Sequence, residues 1–79
     1  MTIDWTPAAL ASAARFMSDQ GGMRAINAAI LGLLADPEPP EAFIRGGYRR
    51  LRVGRYRVLY AITEQIITIL RVDRVISHR

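Results

Sequence analysis

The dipeptide Gly54-Arg55 divides two runs, residues 48–53 and 56–62, in which apolar or aromatic side chains recur at every second position. A period of two commits both runs to strands. A two-residue loop with glycine at its first central position commits them to one antiparallel hairpin with a type II′ turn. The loop also fixes the register, placing Val53 opposite Tyr56, Arg52 opposite Arg57 and Leu51 opposite Val58. One face then carries Leu51, Val53, Tyr56, Val58, Tyr60 and Ile62, and is the side to be buried. The other carries Arg50, Arg52, Arg57, Leu59 and Ala61.

A third strand follows over residues 66–72, after the turn Thr63-Glu64-Gln65. A three-residue loop pairs Ile62 with Ile66 and sets Arg71 beside Arg57 on the arginine face; a two-residue loop turns Arg71 toward the core. Like charges directly opposite each other destabilise a strand pair by up to about 1 kcal/mol. A sequence that accepts this cost at Arg52 and Arg57, with Arg50 and Arg71 nearby, reads as an anion site whose ligand offsets the repulsion. Three other readings stay open: arginines splayed into solvent, a face covered by an acidic partner segment, or pairing within the chain to Glu64 or Asp73.

The first half has a helical period. Thr2 to Trp5 reads as a short strand, and Thr6-Pro7 as an N-cap followed by proline at the first helical position. Leu10, Ala13, Ala14 and Met17 share one helical face, with Gly21-Gly22 expected to end the segment. Met23, Ile26, Ile30, Leu33 and Leu34 mark a second helix, stopped by Asp36-Pro37 and a proline-rich loop. The expectation is an α+β fold of order β-α-α-β-β-β, with two helices packed on one face of a small antiparallel sheet. The whole chain, 1–79, makes one domain with a thin core. Trp5, Tyr56 and Tyr60 are expected in that core, while Tyr48 points to the arginine face, where it can stack on a nucleobase.

Composition narrows the partners. All 11 basic residues are arginine and the formal net charge is +4, which suits nucleic acid, acidic protein or anionic membrane. Arginine favours planar, bidentate contacts to phosphate and carboxylate. With one histidine and no cysteine, neither disulfides nor thiol catalysis nor a metal centre is expected, and no other cofactor is indicated. The start, MTIDWTPAAL, lacks the basic and long apolar regions of a signal peptide, and no apolar run is long enough to span a bilayer. A cytoplasmic location without a membrane partner is expected.

The block YRRLRVGRYRVLYAI, followed by a turn and ITILRVDR, resembles the C-terminal half of RelE/ParE-superfamily toxins of bacterial type II toxin–antitoxin systems. These show a Y-R-x-R-V-G-x-Y-R-V-x-Y core and a final apolar strand ending in V-G/D-H-R. The front half agrees, with a strand entering a tryptophan, two helices and a D-P loop. The resemblance implies a RelE-like mRNA interferase, cutting ribosome-bound mRNA to leave a 2′,3′-cyclic phosphate and a 5′-hydroxyl. It carries phosphate contact over to Arg57, and to Arg50 and Arg52 of the preceding strand, with Arg71 added from the face geometry. The catalytic set it implies is Arg57, Arg74 and His78. Val75 replaces the second basic residue of the family tail, and no terminal tyrosine follows. His78 is then the near-neutral acid–base candidate, or a terminus without function. ParE-like toxins share the fold and poison DNA gyrase without catalysis, so that activity stands as the alternative, beside a degenerate member that only binds antitoxin. Each implies a cognate antitoxin whose acidic segment wraps the domain; operator DNA is reached through that antitoxin.

Overall fold

The computed structural model describes residues 1–75. Seven elements follow in order: β1 (Thr2–Trp5), α1 (Pro7–Ala14), α2 (Gln20–Gly32), β2 (Phe43–Arg45), β3 (Tyr48–Val53), β4 (Tyr56–Thr63) and β5 (Ile66–Arg74). They form an α+β fold in which one five-stranded sheet, ordered β1-β5-β4-β3-β2, carries both helices on one side.

The hairpin of β3 and β4 has the expected register, with Val53 on Tyr56, Arg52 on Arg57 and Leu51 on Val58. Gly54 takes a φ of 60° while Arg55 does not share a positive φ, as a type II′ turn requires. Two features depart from the expected sheet. Phe43–Arg45 adds an antiparallel edge strand, joined to β3 through Gly46-Gly47 with Gly46 at φ 60°. At the other edge β1 runs parallel to β5, so the sheet is mixed and not wholly antiparallel. That direction lets the chain leave Trp5 straight into α1, where the Thr6 hydroxyl caps the helix by accepting from the Ala9 N–H and donates to the Ile69 carbonyl.

The turn after β4 contains two residues, since Thr63 pairs with Ile66 and Ile62 with Ile67. By strict alternation this register would send Arg71 into the core. A bulge prevents it: Tyr60 pairs with Ile69 and Leu59 with Arg71, leaving Leu70 without a partner. The extra residue resets the alternation, so Arg71 stays exposed while Val72 is buried.

Ile26 and Ile30 of α2, Leu33 at its C-cap and Ala9 of α1 pack on Leu51, Tyr56, Val58, Tyr60, Ile67, Ile69 and Val72. Each large aliphatic side chain buried here contributes about 1.5–3 kcal/mol. Trp5 packs at the margin of this core. Helix α1 buries Ala9 rather than its larger apolar residues, and Leu10 and Met17 remain 58% and 66% exposed. Gly21-Gly22 does not end α1; both glycines lie in the first turn of α2, whose N-cap Asp19 accepts from the Gly22 N–H at 2.9 Å. The reason is space. A Cβ on Gly22 would stand 2.6 Å from Cε2 of Tyr56, so only glycine lets α2 approach the sheet this closely. No helix among the described residues is long and apolar enough to cross a membrane.

Candidate functional site

The sheet face opposite the helices is built by β2–β5, and register decides which arginines reach it. Arg50 pairs with Phe43 on one side and Leu59 on the other, while Leu59 also pairs with Arg71. One row across the face is therefore Arg71, Leu59, Arg50 and Phe43. The next row is Asp73, Arg57 and Arg52. Arg45, paired with Tyr48, completes the basic surface at the β2 edge.

These guanidiniums are held differently. Arg52 donates from Nε to the Gly54 carbonyl at 2.6 Å, which bends it back along its own hairpin. Arg71 donates from Nε to Oδ1 of Asp73 at 2.6 Å, so the pairing to Asp73 weighed from the sequence is made by Arg71. As an exposed surface pair it adds little to stability. Arg50 lies with its guanidinium carbon 4.8 Å from the Phe43 ring centroid. Arg57 is half-buried between Arg52 and Asp73 in register and makes no ion pair among the described residues. A rigid strand thus presents a guanidinium with free donors beside a second one, an arrangement that binds an oxyanion by charge-assisted hydrogen bonds.

Arg74 is placed elsewhere. It pairs with Tyr56, hence on the helix side, and its guanidinium carbon lies 5.6 Å from the Phe16 ring centroid. Arg50, Arg52, Arg57 and Arg71 therefore share one face, and Arg74 does not join them. His78 lies outside the described residues. Arg49 is also on the helix side, paired with Glu38 of the proline-rich loop.

The helix side has its own polar network. The Tyr56 hydroxyl donates to Oδ2 of Asp19 at 2.7 Å. That hydrogen bond first, and the Gly22 N–H second, hold the Asp19 carboxyl below its ordinary value; the same bond, with desolvation, raises the Tyr56 hydroxyl. Tyr60 is buried and donates to the Pro37 carbonyl at 3.0 Å, and burial pushes its hydroxyl up. Both tyrosines are core residues fastened to loops. Between the helices a groove of about 340 Å³ is lined by Trp5, Leu10, Ala13, Met17, Met23 and Ile26.

Sequence reasoning missed β2, and with it Phe43 and Arg45. The signal was present: Gly-Gly between Phe-Ile-Arg and Tyr-Arg-Arg is a two-residue hairpin loop flanked by strand-forming residues. Among the described residues, no group of three or more histidine, cysteine, aspartate or glutamate side chains is arranged to hold a metal ion.

The family model of the ParE toxin of type II toxin–antitoxin systems, parDE, matches residues 3–75. Among solved structures the chain is similar to the crystal structure of the toxin–antitoxin complex RelBE2 from Mycobacterium tuberculosis. The two share 25% identity over 92% of this chain and 95% of that one, with a TM-score of 0.64. No curated protein matches the chain.

Proposed function

The chain belongs to the ParE toxin family of type II toxin–antitoxin systems, within the RelE/ParE superfamily; from the arginine face that it carries, and not from that membership, we propose that it is a ribosome-dependent mRNA endoribonuclease. The observation that carries this reading is the cross-strand pair Arg52–Arg57, with Arg50 and Arg71 on the same open face. Guanidiniums fixed on a sheet match the main electrostatic demand of the reaction. The ribose 2′-oxygen forms a bond to the adjacent phosphorus, the bond from phosphorus to the 5′-oxygen breaks, and charge builds on the phosphorane oxygens between. Arg57, with Arg52 opposite, stabilises that charge. A base takes the 2′-hydroxyl proton and an acid returns one to the 5′-oxygen. Asp73 is the carboxylate nearest Arg57 in register, and His78 remains the sequence's acid–base candidate.

The toxin is held silent by a cognate antitoxin. The similar RelBE2 structure is itself a toxin–antitoxin complex, and this chain offers complementary surfaces for such a partner. Acidic residues of the antitoxin neutralise the arginine face, and apolar ones cover the groove at Leu10 and Met17. Operator DNA is contacted through the antitoxin.

Non-catalytic poisoning of DNA gyrase is the second reading, favoured by one specific observation. Arg74, expected in the catalytic set, is turned to the helix side against Phe16. Inducible expression of the wild type, Arg57→Ala, Asp73→Asn and His78→Ala, with mapping of 5′-hydroxyl mRNA ends at arrest, separates the two. Cuts within ribosome-bound codons that vanish in Arg57→Ala support the endoribonuclease. Arrest with intact mRNA and trapped gyrase–DNA complexes overturns it in favour of the gyrase poison.

A further inference from the structure

Strand β2 is three residues long, lies at the sheet edge and buries none of its side chains. An exposed phenylalanine on an edge strand adds little to folding and invites association. Yet Phe43 is 54% exposed, and so is Tyr48 in the adjoining strand. Register puts both on the arginine face, Phe43 level with Arg50 and Tyr48 level with Arg45. Diagonal neighbours across a strand pair stand roughly 7–8 Å apart, within reach of one planar ligand. The open-face residues that β2, β3 and β4 contribute include no carboxylate; Asp4 and Asp73 belong to β1 and β5, away from β2.

We propose that Phe43 and Tyr48 form a nucleobase-stacking site for single-stranded nucleic acid, continuous with the phosphate contacts at Arg50, Arg52 and Arg57. The inference rests on reading that face as a phosphate-binding surface and adds to it the part of the ligand that is not phosphate. Single-strand binding surfaces combine these two features, a basic track for the backbone and aromatic side chains that accept bases of any sequence. Arg50 links the two here. Its guanidinium already lies over the Phe43 ring, so a base stacked at Phe43 brings its own phosphate to the adjoining arginines. The Gly46-Gly47 loop sits beside the pair, and a Cβ at either glycine would meet nothing within 4 Å, so the approach on that side is open.

The test uses two fluorescent probes of equal length read by anisotropy. One is a single-stranded RNA with 2′-O-methyl groups, which cannot be cleaved at its 2′-oxygens; the other is an abasic phosphodiester chain. Phe43→Ala is expected to weaken the base-bearing probe about tenfold and leave the abasic chain unchanged. Phe43→Trp should restore binding, and Arg52→Ala should weaken both probes. Phe43→Ala binding both probes like the wild type, or weakening both equally, overturns the proposal. So does a loss confined to an acidic antitoxin peptide, which would assign the corner to a protein partner. Wild-type binding to neither probe overturns the phosphate reading itself and the stacking site with it.

Discussion

Asp19 joins two elements through one carboxylate: it caps α2 at the Gly22 N–H and accepts the Tyr56 hydroxyl from β4. These bonds favour its charged form and lower its pKa from the ordinary 3.8. A carboxyl depressed in the folded state contributes stability that is present above its unfolded pKa and is lost as pH falls through the folded one. The Asp19 contribution is thus complete at neutral pH, begins to fall below about pH 4, and is lost as pH drops through the lowered folded value. Tyr56→Phe should flatten that acid limb in thermal melts across pH, and an unchanged limb would show that the bond carries no linkage. At Arg52 the sign is reversed. Because Arg52 faces Arg57, Arg52→Thr removes a repulsive pair of up to about 1 kcal/mol. The melting temperature should rise by a few degrees, less whatever the hydrogen bond to Gly54 contributes. A fall would mean that the pair is not strained without its ligand.

Three two-residue turns organise the sheet, and they differ in how openly the sequence announces them. Gly54-Arg55 was legible because glycine stood between two alternating runs. The turn at Glu64-Gln65 was ambiguous, since Glu64 takes a φ of 58° without being glycine. Its register follows from tertiary pairing and from the bulge at Leu70, neither of which leaves a local pattern. Gly46-Gly47 was legible in principle, but Phe43–Arg45 is too short to show a period of two. The helices divide in the same way. The apolar repeat of α2 identified its buried residues Ile26 and Ile30. The apolar stripe of α1 is the exposed lining of the groove, because Ala9 is the residue close to the sheet. Gly46→Val places a β-branched residue at φ 60°, at a cost of about 1–2 kcal/mol. It should release β2 and raise amide exchange at Phe43 and Arg45, the β2 residues in hydrogen-bonded pairs with β3, ahead of the other strands. Uniform protection across all strands would show that β2 does not depend on this turn.

The molecule as a whole separates its surfaces. The open face of the sheet is basic, while the helix side offers an apolar groove and the acidic residues of the loop Asp36–Glu41. A small domain that leaves so much apolar and like-charged surface uncovered gains stability from any partner that binds only the folded state. Stoichiometric antitoxin should therefore raise the melting temperature of the toxin, and equal melting temperatures with and without bound antitoxin would remove that inference. The fold and the composition of the arginine face were legible because hairpin register follows from a few residues. The face of Arg74 was legible too, since alternation from Arg71 sends it to the helix side, and only the family resemblance set it among the catalytic residues. The central claim is that Arg52 and Arg57 hold phosphate. The most direct measurement is the affinity of the uncleavable single-stranded probe across a salt series, for the wild type and for Arg52→Ala/Arg57→Ala. Counterion release predicts a log–log slope shallower by about 0.7 for each phosphate contact removed. A double variant with the wild-type slope and affinity would contradict the account.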